Sequence, residues 1–321
     1  MVLKAILGFA VALSAFSAAA QWPARPMTWV VPFAAGGATD VMAREIAQRV
    51  GDNLKQAILI ENVPGAGGTL GSAKVAKAPG DGYTFLVGHL GYIAAAPSMY
   101  KHLSYQPMVD LVPVVRFPDT PLVIVVSAGS RFKTLPDLIE YARQNPGKLN
   151  VANAGVGSTS HLIGTLFASR LNIKTTDVPY KGIAPAVTDL IGGSVDVIFD
   201  QTNTALGYVT AGKVRALAVT SAVAMPQYPE AKPVADVLPG FEAATWYGLY
   251  APKGTPPDII EAVHQAYLKA IADPRWQASL SAKGMRLLPT ADYSPARFGA
   301  FTTAEIERWR TVVRQAGIEA Q

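Results

Sequence analysis

The stretch VVPFAAGGATD, Val30 to Asp40, sits between an extended apolar run, TWVVPF, and a helical pattern, VMAREIAQRV. Gly36 and Gly37 open backbone angles closed to other residues, and Thr39 or Asp40 is placed to cap the helix that follows. The first N–H groups of such a helix have no intrahelical partner and carry about half a positive charge of dipole. Read alone, the stretch is either an ordinary strand-to-helix turn or a seat for an anion. It is not a dinucleotide fingerprint, which needs glycines at positions 0, 2 and 5, and the chain has no GxxxxGK[ST] phosphate loop. No nucleotide cofactor is therefore expected.

Met1 to Ala20, MVLKAILGFAVALSAFSAAA, has one Lys, an apolar run and a small-residue ending, and reads as a secretory signal peptide cleaved after Ala20. No second apolar run of the roughly 20 residues that cross a bilayer follows it. The chain has no Cys, which removes disulfides, thiol nucleophiles, thiolate metal sites and a lipid-bearing Cys at the cleavage point. The mature protein is therefore expected to be exported, soluble and without a lipid anchor. About 300 residues remain, enough for two domains each with its own core.

The formal net charge is +5, but Lys and Arg are scattered, with no run that would grip nucleic acid. The four His, at 89, 102, 161 and 264, are far apart and match no metal-binding spacing.

Two further strand-to-helix units follow the first. AILIENVPGAGGTLGSAKVAKA breaks at Gly65, Gly67 and Gly68, and YTFLVG leads into a loop with His89 and Tyr92. Three such units in series argue for a parallel sheet wound with helices, whose ligands gather at the carboxyl ends of the strands. Pro113, Pro118 and Pro121 then punctuate extended runs, which suits a chain leaving one domain for another. From Ser130 a second α/β series begins, with the strands KLNVAN, TTDVPY and VDVIFD, the loop AGVGSTSH, and the loop KGIAPA before a helix VTDLIGG. The Pro-bracketed stretch ATWYGLYAPKGTP returns the chain to C-terminal helices. The expected fold is α/β, with two doubly wound domains joined by a two-crossing hinge around a cleft. Domain 1 is residues 21–121 and 245–321, and domain 2 is residues 122–244.

VVPFAAGGATD, IENVPGAGGTLG, APGDGYTFLVG, PGKLNVANAGVGSTSHL, VPYKGIAPAVTDLIGGSVDVIFD, AGKVRALAVTSA and WYGLYAPKGTP resemble, in order and spacing, the Bordetella uptake gene (Bug, or TctC-like) proteins. These are the periplasmic receptors of tripartite tricarboxylate transporters. The resemblance covers essentially the whole mature chain. It implies a type II periplasmic binding protein that closes over a small carboxylate and presents it to the integral membrane subunits of a transporter. It also implies that the carboxylate is held by backbone N–H groups and hydroxyls of two opposed loops.

Carried onto this chain, the first loop supplies Phe33, Ala35, Gly36, Gly37, Ala38, Thr39 and Asp40, and the second supplies Gly157, Ser158, Thr159, Ser160 and His161. Each of the three hydroxyls has a cap on its own helix as its alternative role, the two roles being evenly matched for Ser160. Asp200, at the end of VIFD, reads as a contact to the far end of the ligand or as a helix cap. Tyr180 and Lys181 rank below the loops. His89 stands where small hydroxyl residues are expected, and with Tyr92, Phe33 and Trp246 it either shapes an aromatic subsite or simply packs. A carboxylate receptor acting as a monomer, without metal or catalysis, is the reading. An exported hydrolase using Ser158 or Ser160 lacks a GxSxG elbow, and a sensor feeding a signalling kinase is the same receptor with another output.

Overall fold

The computed structural model describes residues 22–315, 317, 318 and 320; the expected signal peptide lies outside them. The strands, in chain order, are β1 Met27–Val31, β2 Ile58–Asn62, β3 Thr84–His89, β4 Leu111–Arg116, β5 Thr120–Ser127, β6 Asn150–Asn153, β7 Thr176–Pro179, β8 Val197–Gln201, β9 Val214–Val219, β10 Lys232–Pro233, β11 Ala244–Thr245 and β12 Tyr247–Pro252. One sheet has the order β2-β1-β3-β12-β4, and the other β10-β9-β5-β8-β6-β7 with β11 against β5. In the first sheet β1 runs parallel to β2 and β3, and β12 alone runs against β3 and β4. In the second, β5 runs against β8 and β9. Each sheet is thus a wound parallel sheet with an antiparallel strand laid in by the chain as it crosses over.

β1 shows why both faces must be covered: Met27, Trp29, Val30 and Val31 are all buried, so neither side can face water. On one face the helix Ala38–Leu54 turns Met42, Ala43, Ile46, Ala47 and Val50 inward at helical spacing against the helix Pro257–Ile271. The other face belongs to a larger apolar cluster that runs without a break from Val30, Leu86 and Tyr92 to Leu122, Phe167 and Phe199 of the second sheet. The two sheets therefore share a core across the seam between them. The C-terminal helix Pro295–Gln315 packs on β4 and beside the turn after β3.

The chain leaves the first sheet at Arg116 and enters the second at Thr120; it leaves β11 at Thr245 and re-enters at Tyr247. At the first crossing Asp119 is 1% exposed and accepts from Arg116 Nη2 at 2.8 Å on each carboxylate oxygen and from Arg286 Nη2 at 2.7 Å. Arg286 also pairs with Glu242 of the return segment, so both crossings are tied to one guanidinium.

Two local expectations need correction. KGIAPA is not a loop before VTDLIGG: the helix begins at Ile183 and runs to Gly192. Pro185 falls in its first turn, where the missing N–H has no carbonyl to lose. His89 is not in a loop either; it is the last residue of β3, opposite Tyr247 of β12.

Candidate ligand-binding site

The first loop folds on itself before it can meet anything else. Gly36 has φ +82, a left-handed angle, and its N–H donates to Asp40 Oδ2 at 2.8 Å. Arg44 Nε donates to the same oxygen at 3.0 Å, and Asn62 Nδ2 donates to Asp40 Oδ1 at 2.9 Å and to the Phe33 carbonyl at 3.0 Å. Burial opposes the charge on Asp40, but the bonds from Arg44, Gly36 and Asn62 outweigh it and hold the carboxyl below its usual range. The cap expected from Thr39 or Asp40 is absent: Gly37 is the N-cap, with no side-chain bond. Asp40, already inside the first turn, instead reaches back to pin the loop. The N–H groups of Ala38, Thr39 and Asp40 then head the helix with no intrahelical carbonyl to bond. Ala35, Gly36 and Gly37 are exposed, Ala38 is half-buried, and Thr39 is buried.

The three hydroxyls of the second loop divide their labour. Ser158 is the N-cap of the helix Thr159–Leu171 and accepts from His161 N–H at 3.3 Å. Ser160 accepts from Ala154 N–H at 2.9 Å, tying the helix to the end of β6, and its hydroxyl lies 3.1 Å from that of Ser158. The cap considered for Ser160 is thus made by Ser158. Gly157 donates its N–H to His161 Nδ1 at 3.4 Å. Burial draws the His161 pKa down, with Asp177 pulling weakly the other way. Only Thr159 crosses the seam: its Oγ1 is 2.8 Å from His89 Nε2, 70 residues away and on the other sheet.

Around that contact the chain gathers a small buried cluster. The His89 ring lies 5.6 Å from Phe33, 5.3 Å from Tyr92 and 5.3 Å from Tyr247, measured between centroids. Trp246 is not in it: it lies between β11 and β12, and its Nε1 donates to Glu305 Oε2 at 2.9 Å. Successive strand residues point to opposite faces, so Tyr247 takes the place expected for Trp246. The Tyr247 hydroxyl donates to Gln201 Oε1 at 2.9 Å, a second bond across the seam. Burial pushes this phenol up to about 12, and hydrogen bonds with Thr39, Gln201 and Thr245 pull the other way.

Asp200, next to Gln201, is 3% exposed. Its Oδ1 accepts from Gln201 N–H at 2.7 Å and Thr204 Oγ1 at 2.6 Å, while its buried Oδ2 has no partner among the described residues. Burial pushes its carboxyl up to about 6 against those two bonds. Both readings of Asp200 thus find an atom: Oδ1 secures the start of the helix Thr202–Thr210, and Oδ2 is uncommitted.

Tyr180 donates its hydroxyl to Asp189 at 2.6 Å and Lys181 is exposed, so neither side chain joins the cluster. Tyr247, Gln201, Thr204 and Asn62 were missed by the sequence reading. For Tyr247 a signal existed in the period-two alternation of WYGLY; for the amides and Thr204 there was none. A groove of about 830 Å³ lies elsewhere, between the helix Ala38–Leu54 and β2; apart from Arg44 it shares no residue with this site, so volume alone does not pick the site.

Two wound α/β sheets joined by two extended crossings, with a helix N-terminus from each at the seam, define a two-domain periplasmic solute-binding protein. A family model described as "Tripartite tricarboxylate transporter family receptor" (TctC) matches residues 42–318, and the chain belongs to that family. It is 40% identical over 323 residues to the "UPF0065 protein in tcbD-tcbE intergenic region" of Pseudomonas sp. (strain P51), covering 99% of this chain and 95% of that one. Among solved structures it is similar to an R. palustris protein with adipate (35% identity, TM-score 0.86, covering 94% and 100% of the two chains). It is likewise similar to MatC from Rhodopseudomonas palustris with bound malate (36% identity, TM-score 0.83, covering 91% and 99%).

Proposed function

We propose that this chain is an extracytoplasmic receptor that binds one small carboxylate between the loops Pro32 to Asp40 and Gly155 to His161 and delivers it to the integral membrane subunits of a tripartite transporter. The two sheets with their helices, divided in the chain at 117–119 and at 246 close to the expected bounds of 121 and 245, act as the two jaws of a monomer working in the periplasm. The observation that carries this reading is the pair of helix N-termini, at Ala38 and Thr159, on opposite sides of a seam bridged by Thr159 and His89. Unpartnered N–H groups with the helix dipole behind them favour an anion, and two such ends favour it from both sides. That relatives are solved with adipate and malate supports a carboxylate as the anion.

Asp200 serves the far end of the ligand through Oδ2, as a hydrogen-bond acceptor when charged and a donor when protonated. The site binds without turnover. Ser158 takes the backbone N–H of His161, and the His161 Nδ1 faces the Gly157 N–H, so no serine here is paired with a base.

Thermal-shift and titration measurements on the mature protein with adipate, malate, benzoate and glutamate test the reading. At least one should raise the melting temperature and bind one-to-one, since a ligand at 100 times its dissociation constant stabilises by about 2.7 kcal/mol. Binding of none of the four, or product formation from the one bound, refutes it.

A further inference from the structure

The bond between His89 and Thr159 has a direction. Gly91 N–H donates to His89 Nδ1 at 2.9 Å, so Nδ1 carries the lone pair and the proton of the neutral ring sits on Nε2. Nε2–H is therefore the donor to Thr159 Oγ1 at 2.8 Å. Having accepted that bond, the Thr159 hydroxyl must send its own proton elsewhere. Both side chains are 3% exposed, so neither can turn to bulk water. The ring is fixed in turn: Tyr92 stacks on it at an interplanar angle of 25° and Phe33 meets it nearly edge-on at 83°.

The same turn contributes a second feature. A Cβ built at Gly91 would lie 2.6 Å from the carbonyl oxygen of Gly157. That is closer than any side chain tolerates, and the atom it meets is backbone of the opposing loop, which cannot swing aside. Gly91 lacks a positive φ, so the absence of a side chain answers to this approach and not to backbone strain. A bare residue at 91 lets the loop Gly155 to His161 come near enough for His89 to reach Thr159.

We infer that His89 is a positioning residue of the carboxylate seat. By donating across the seam to Thr159 Oγ1 it locks that side chain in one rotamer and turns the Thr159 hydroxyl proton towards the bound anion, with Gly91 kept bare so that the jaws close far enough for the bond to form. This rests on the carboxylate reading of the Gly155 to His161 loop. The imidazole offers the ligand no hydrogen bond of its own, because both of its nitrogens are spent within the protein. The seat therefore holds its anion with neutral, oriented donors, and His89 sets the aim of one of them.

The test is a double-mutant cycle read by calorimetric titration with the tightest binder among adipate, malate, benzoate and glutamate. Thr159→Val removes the hydroxyl, His89→Leu removes its orienting donor while keeping an apolar side chain, and His89→Gln restores an N–H at about the reach of Nε2. Thr159→Val and His89→Leu should each weaken binding about ten-fold or more, as expected for a hydrogen bond to a charged acceptor. The double variant should bind no worse than Thr159→Val alone, because both changes remove the same bond. His89→Gln should recover most of the affinity. Gly91→Ala, whose added Cβ meets the Gly157 carbonyl first and the His89 ring less closely, at 3.2 Å, should weaken the same carboxylate by holding the jaws apart.

If Thr159→Val binds as the unmodified protein does, the carboxylate seat itself is misassigned. If Thr159→Val weakens binding while His89→Leu does not, or if the two losses multiply in the double variant, the seat stands and the positioning role of His89 is overturned. Unchanged affinity in Gly91→Ala overturns the part assigned to Gly91.

Discussion

Replacing Asp200 by Asn should change how stability depends on pH, in a direction set by its burial. Burial lifts this carboxyl from 3.8 to about 6 in the folded chain. Between those values the folded protein holds a proton that the unfolded chain has released. Stability therefore declines as pH rises through the window, and above about 6 the burial cost of the charge is fully present. At about 1.4 kcal/mol per pH unit, the interval is worth about 3 kcal/mol, most of it between pH 4 and pH 7. Asn keeps an acceptor for Gln201 N–H and Thr204 Oγ1, the two bonds that Oδ1 makes, and does not titrate.

The variant should thus gain about 2 kcal/mol on the unmodified protein between pH 4 and pH 7, measured as the change in their stability difference by urea unfolding of the ligand-free chains. The difference is the quantity to read, because His89 slopes the other way. Its folded pKa is lowered to about 3 by burial, so the unfolded chain takes up a proton first as pH falls below 6.5, and stability falls with it. A constant gap between the two proteins at both pH values would refute the buried-charge account of Asp200.

Ser158→Ala should cost about 1 kcal/mol of stability through the lost cap on the helix Thr159–Leu171, measured by the same unfolding. Its effect on affinity should be similar for every carboxylate that binds, since the loop meets only the group they share; a loss confined to one ligand would contradict that. Small-angle scattering should give a smaller radius of gyration with the bound carboxylate than without it, because the donor loops belong to opposite sheets. Identical curves at saturation would argue against closure.

Much of the architecture is legible in local pattern. The Gly-Gly break before VMAREIAQRV, the apolar run of β1 and the return of extended sequence at ATWYGLYAP each announce their element within a window of about ten residues. The helix caps were less legible, because the expected residues lie so close together that competing bonds decide among them. Asp40 loses the cap to a loop bond with Gly36, and Ser158 takes the one considered for Ser160.

The seam was least legible. His89 meets Thr159 over 70 residues, and Tyr247 meets Gln201 over 46. Nothing near either residue encodes its partner. The exchange of Trp246 for Tyr247 shows how sharply alternation along extended chain decides: one step back from the start of β12 moves a side chain from the seam cluster to a bond with Glu305.

The position of β12 between β3 and β4 bears on how an exported chain folds. The second sheet apart from β11 is drawn from residues 120–233, so its strands are all present before the chain returns. The first sheet is not: β4 is hydrogen-bonded within it only to β12, which begins at Tyr247. A chain emerging amino end first carries β3 with one bare edge, and β4 with two, until some 250 residues have emerged. The later half therefore has the means to fold while the earlier half waits, open-edged and prone to wrong pairing.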